Sequence, residues 1–277
     1  MNIWFTLLYQ PLVNALIVCY DIFGNLGLAI IALTAAIRTI LIPLTAPSLK
    51  TGQKMKELAP ELAKLKKKFG KDKTALAKAQ MELYKQHGVN PTAGCLPQIV
   101  QIVILIALFQ AFNKVLRSNG DIITNLNEIL YPSLQLAKDT VINAKFFYLN
   151  LTKPDLIILP FKIGIGNFSF DKIPGIFLIS AAAVQFMSSK LMMPSIKTEE
   201  KIAKKTEAKS DDMATMMQSQ MLYLMPIMTL IIGFTFPSGL VLYWLTFSLF
   251  MLVQQKLLKK GKKKLLLKRG KNAGKKN

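Results

Sequence analysis

The chain has 277 residues, 52% of them hydrophobic, and a formal net charge of +21. Apolar residues gathered in long runs exclude an ordinary soluble domain, and the excess of Lys and Arg points to anionic lipid headgroups or nucleic acid. With a single histidine, two distant cysteines, no phosphate-binding loop and no nucleophile elbow, there is no basis for a disulfide framework, a histidine metal site or a Ser-His-Asp triad, so the chain is read as a non-enzyme without cofactor or metal.

Residues 1–23 contain IWFTLLYQPLVNALIVCYDIF. No Lys or Arg falls in the first 20 residues, so the positive start of a secretory signal is missing. Pro11 and Asn14 interrupt the run, and Gly24-Asn25 ends it. The segment is expected as an amphipathic helix on the outer surface, with a sixth span as the alternative.

Five spans are expected, at residues 24–47, 93–114, 174–193, 220–236 and 238–256, in an all-α membrane protein. The apolar stretches of the last two, Met221–Phe236 and Gly239–Val253, cover only about 24 and 22 Å as helices, against roughly 30 Å of hydrocarbon. Either polar flanks such as MQSQ and VQQK extend them, or the bilayer thins locally.

Between the spans, residues 48–92 are expected as a helical hairpin. Met55, Leu58, Leu62, Leu65 and Phe69 recur at helical spacing, and Leu76, Ala79 and Leu83 form a matching stripe. Pro60 predicts a kink or restart, and Gly70 a stop. Residues 115–173 form the other long connection, of mixed composition and partly interfacial. Residues 194–219 form a loop, and 257–277 a basic, low-complexity tail with few structure signals.

Charge orients these pieces. Residues 48–92 hold 11 Lys/Arg, 194–220 hold five and 256–277 hold 11, whereas 117–173 hold six against five acids. The positive-inside rule then places the N-terminus outside and the C-terminus in the cytoplasm. In the tail, Lys259, Lys260, Lys262, Lys263, Lys264, Lys268 and Arg269 read as a contact for anionic lipid or for ribosomal RNA.

Polar residues within the spans carry the functional signal. Arg38 lies about 12 Å from the inner end of its helix, where a charge costs roughly 2.5–3.5 kcal/mol on insertion scales. It is either a snorkelling topology residue or a residue facing a water-filled cavity. Thr34 shares its face one turn outward. Gln98 and Gln101, then Gln185, Ser188 and Ser189, then Thr229, then Trp244 and Ser248 place polar groups on the other spans. Each alone suits a helix–helix hydrogen bond, and together with an arginine lacking any carboxylate in a span they suggest a hydrated chamber.

Three stretches resemble the YidC family of membrane-protein insertases, in the Oxa/Alb superfamily: GNLGLAIIALTAAIRTILIPLT at 24–45, VNPTAGCLPQIVQ at 89–101 and FPSGLVLYW at 236–244. YQPLVNAL at 9–16, the hairpin sequence at 54–73 and LNLTKPDLIILP at 149–160 extend the resemblance over nearly the whole chain. It implies a five-helix core around a hydrophilic groove open to the cytoplasm and to lipid, in the short form without a large periplasmic domain. It also implies a thinned membrane and groove positions at Arg38, Thr34, Gln101 and Trp244. The chain departs from the family at Val103, where many relatives have proline. It departs again at Ser188 and Ser189, where many have a glutamine pair that Gln185 compensates, and in FKIGIGNFSFDKI at 161–173, an insert without an assigned role.

The implied function is a membrane-protein insertase and folding chaperone of the bacterial plasma membrane. Its partners are nascent membrane proteins and lipids, with the ribosome, through the tail, and the Sec translocon as further candidates. The rival reading is a transporter or anion pore using Arg38 as its binding charge, and the lack of an inverted repeat weighs against it. An intramembrane protease ranks third, because no nucleophile–base pair is visible.

Overall fold

Pro11 shapes the first element. It has no N–H to close a normal helical turn, and Phe5–Tyr9 before it form a wider π turn. The helix continues as α1, Gln10–Phe23, through Asn14. The expected interruption at Pro11 and Asn14 is therefore a widened turn and not a break. Gly24, at φ +63°, closes α1 in the left-handed conformation that glycine adopts without strain.

The computed structural model describes residues 3–69, 72–90, 96–116, 122–165, 168–192 and 220–273. Helix α2, Leu26–Ile40, is capped by Asn25, whose Oδ1 accepts the N–H groups of Gly27 and Leu28. The expected first span breaks at Leu41, two residues before Pro43, and resumes as α3, Ile42–Glu57. Next come α4, Ala59–Phe69, and α5, Lys73–Gln86, then α6, Leu96–Leu116, and the short α7, Ile122–Asn127. Later helices are α8, Ile176–Met192, then α9, Met225–Gly233, which a π turn at Gln220–Leu224 precedes, and α10, Ser238–Ala273.

The chain is mostly helical, but not all-α. The connection expected at 115–173 holds two antiparallel hairpins: β1, Lys145–Phe146, with β2, Leu149–Asn150, and β3, Leu156–Ile165, with β4, Phe168–Pro174. The β-branched and aromatic run in LIILPFKIGI and FSFDKIP accounts for the second pair. A second correction concerns the tail. Where few structure signals were expected, α10 runs on to Ala273, because lysine and leucine sustain a helix well.

Among the described residues, Phe5–Phe23 and Ser238–Gly261 are long and apolar enough to cross a membrane, and α2 with α3 adds a third if that pair is one span. Ile99–Ala111, Ile176–Leu191 and Leu222–Gly233 are shorter apolar helices. The loop expected at 194–219 and the stop at Gly70 lie outside the described residues.

Two units make up the chain. The first comprises residues 1–41, 98–185 and 226–249. Its main core joins Leu16 of α1, Leu26, Ala29, Ile30 and Leu33 of α2, Ile104 and Leu108 of α6, and Leu240, Leu242 and Tyr243 of α10. The connection between α6 and α8 is tied to this unit's helices by hydrogen bonds. Asn14, buried in α1, donates to Ile129 O and accepts from Tyr131 N–H at 2.7 Å. The start of α10 docks on the 150–153 turn: Ser238 N–H donates to Lys153 O at 2.7 Å, Gly239 N–H to Leu151 O, and Ser238 Oγ to Asn150 O. The FPSG sequence is thus a docked helix start, with Ser238 and Leu240 fully buried.

The second unit comprises residues 42–97, 186–225 and 250–277. Here α4 and α5 pack together as a helical hairpin, α4 starting at Ala59 just before Pro60. Leu62, Leu65, Leu76, Ala79 and Leu83 are half-buried, while Lys64, Lys67 and Lys68 are exposed. Lys56 donates to Leu191 O at 3.2 Å. Partial burial, and then the nearby charge of Lys259, lower its ammonium below the usual lysine range.

Candidate functional site

Arg38 stands in the last turn of α2 and is only 3% exposed. Its Nη2 donates to Oε1 of Gln101, itself 4% exposed, on α6. The same oxygen accepts from the Tyr243 hydroxyl on α10 at 3.1 Å. Phe247, one turn further along α10, lies beneath the guanidinium, with Cζ 3.8 Å from the ring centroid. Three helices of the first unit therefore converge on one cation. Its neighbours are an amide oxygen and an aromatic face, and neither neutralises the charge as a carboxylate would.

Two donors in this cluster remain unused. Arg38 Nη1 and Gln101 Nε2 are buried and have no hydrogen-bond partner among the described residues. A buried polar group without a partner costs about 1–3 kcal/mol. Both orphans are N–H donors, so the chemistry that would complete the cluster is an oxygen acceptor, neutral or anionic.

The other expected residues fall into separate places. Thr34 is buried one turn before Arg38, and its hydroxyl bonds to Ile30 O of its own helix. Ser248, also buried, directly follows Phe247. Trp244 is half-buried and parallel to Phe236, with centroids 6.5 Å apart, and Phe236 in turn stacks on Phe109 at 4.6 Å. Gln185 on α8 accepts from the Thr229 hydroxyl of α9 at 2.6 Å. In the second unit, buried Ser188 accepts from Gln255 Nε2 at 3.0 Å, and Ser189 is half-buried.

Gln255 was foreseen only as part of a polar flank. Tyr243 and Phe247 were not foreseen, though a hydroxyl inside the apolar run LVLYWLTF, with an aromatic four residues on, places both on one helix face. In the tail, Lys259 and Lys260 are exposed. Lys262, Lys263, Lys264, Lys268 and Arg269 lie on α10, and their side chains fall outside the described residues, as does that of Gln98.

Apolar helices, of which α10 alone is long enough among the described residues to cross a membrane by itself, meet at a buried and incompletely satisfied cation, as in a helical membrane protein with a polar cluster between its helices. The comparisons place it further. A family model described as 60Kd inner membrane protein matches residues 18–265. The membrane protein insertase YidC of Fusobacterium nucleatum subsp. nucleatum is 35% identical, over 94% of this chain and 100% of its own length. The protein of the same name from Pelobacter propionicus is 31% identical over 93% of this chain. This chain covers only 39% of that relative's length. A solved structure, an active YidC insertase with the first transmembrane domain resolved, shares the fold at TM-score 0.53 and 24% identity, covering 91% of this chain and 46% of that one. The chain belongs to the YidC family of the Oxa/Alb superfamily.

Proposed function

We propose that the chain is a membrane-protein insertase and folding chaperone whose groove is lined by Arg38, Gln101, Tyr243 and Phe247. The observation that carries this reading is the pair of orphaned donors beside an uncompensated cation. A polar client segment is rich in what they lack: peptide carbonyls and carboxylates. Such a segment enters from the cytoplasm and exchanges part of its hydration for these donors.

The client's apolar helix then leaves sideways into lipid, past α6 and α9. Each carries open apolar residues that suit this exit: Ile99, Ile102 and Ile106 on α6, and Ile227 and Ile231 on α9. Burial in lipid supplies the driving free energy, roughly 25 cal/mol per Å² of apolar surface, so no nucleotide is required. The short α9 fits a locally thinned bilayer. In this reading five helices form the core, α1 lies at the outer surface, and the α4–α5 hairpin and basic tail face the cytoplasm of a bacterium. The hairpin receives clients, the tail holds the ribosome, and the Sec translocon is a further partner.

A photocrosslinker at position 244 tests the client path. It should capture the transmembrane helix of a nascent client. Flux of small anions through sealed vesicles without any client, and no capture, would favour the transporter reading.

A further inference from the structure

The insert FKIGIGNFSFDKI forms most of the β3–β4 hairpin, and the insertase reading gives it no task. Three apolar side chains of this hairpin are uncovered among the described ones. Ile157, Ile158 and Phe161 are 39%, 73% and 63% exposed. Consecutive strand residues point to opposite faces, so Ile157 and Ile158 leave both faces apolar and open. A lone two-stranded hairpin is marginal at best in water. The pairing also slips between Ile158 and Ile163. Pro160, which has no N–H for a ladder, falls in that slip, together with exposed Phe161 and Lys162.

The base of the hairpin is fixed to the start of α8. Gly175 N–H donates to Asp155 O at 2.8 Å, Leu178 N–H to Asp155 Oδ2 at 2.8 Å, and the Tyr148 hydroxyl to Asp155 Oδ1 at 2.8 Å. That hydroxyl also accepts from Ile176 N–H. Asp155 is 1% exposed, and a Cβ at position 175 would collide with its carboxylate. The hairpin therefore starts at the depth where α8 starts. At that depth Ile176 and Ile179 of α8 are 62% and 51% exposed, which suits acyl chains. Phe161 is five residues beyond Leu156, within roughly 17 Å of this joint.

We propose that the β3–β4 hairpin is an interfacial membrane anchor, lying in the leaflet where α8 begins. Phe161 and Ile158 enter the boundary between headgroups and acyl chains, and Lys162 and Lys172 meet lipid phosphates. The inference rests on α8 being a membrane span. Its occupant is lipid because the open apolar surface continues from the hairpin base into lipid-suited residues of α8.

Spin labels test this on the full chain with Cys19→Ser and Cys95→Ser, reconstituted in liposomes containing phosphatidylglycerol. One label replaces Phe161, one replaces Ile176, and one replaces exposed Glu82 as an aqueous reference. All three positions are open, so each variant should fold. The label at 161 should collide more with oxygen than with a water-soluble nickel chelate, as should the label at 176, while that at 82 favours nickel. A label at 161 that favours nickel, with 176 still favouring oxygen, overturns the anchor alone. A label at 161 shielded from both agents also overturns it, by showing a protein partner. Nickel preference at 176 removes the membrane reading of α8, and the anchor with it.

Discussion

Arg38 and Gln101, 63 positions apart in the chain, meet through the glutamine's oxygen. Tyr243 donates to that same oxygen, so one acceptor holds two donors and fixes the guanidinium over Phe247. The consequences for substitution differ sharply. Gln101→Leu takes away the acceptor of a buried charge, worth about 1.5–3 kcal/mol, whereas Tyr243→Phe removes a neutral bond worth about 0.5–1.5 kcal/mol. Thermal unfolding in detergent should therefore fall more for Gln101→Leu. Combining the two should cost less than their separate effects added together, because both act on one oxygen. Equal and additive losses would mean that Gln101 does not organise the cluster.

The joint at the head of α8 allows a similar cycle. Asp155→Ala removes the carboxylate that accepts Leu178 N–H and should cost about 0.5–2 kcal/mol, as for the loss of a helix cap. Gly175→Ala should cost more, since the new methyl group meets that carboxylate. In Asp155→Ala/Gly175→Ala the collision is gone. The double variant should unfold at a higher temperature than Gly175→Ala alone, and a lower one would place the strain of Gly175→Ala elsewhere.

Truncation after Gly261 checks the tail. Sedimentation with ribosomes should weaken, and the slope of log K against log salt should become shallower, as fewer phosphates are neutralised. An unchanged slope would leave the tail a lipid contact only.

The helices and their polar positions were legible because apolar periodicity and charge bias are strong local signals. Pro60 even marked where α4 restarts, whereas the break at Leu41, before Pro43, was not foreseen. Arg38 and Gln101 could be singled out because each is costly in hydrocarbon. Their pairing could not be read, since it depends on how α2 and α6 are rotated against each other. Tyr243 and Phe247 were hidden for another reason: in an apolar run, an aromatic looks like core until its hydroxyl or its face finds a partner. The β3–β4 hairpin escaped because LIILPFKIGI lacks the polar alternation of a strand with one wet face. Ile157 and Ile158 are open on opposite faces, and an apolar pattern on both sides gives no period to detect.

In the proposed insertase, the donors around Arg38 receive the polar part of a client. Purified protein would be reconstituted in sealed liposomes, with single-span clients bearing acidic or neutral tails synthesised outside. Protection of the tail from protease would then be compared for empty liposomes, the native chain and Arg38→Ala. The native chain should protect the tail, and Arg38→Ala should lose more protection for acidic than for neutral tails. Equal loss for both tails, or full protection despite the substitution, would contradict that role.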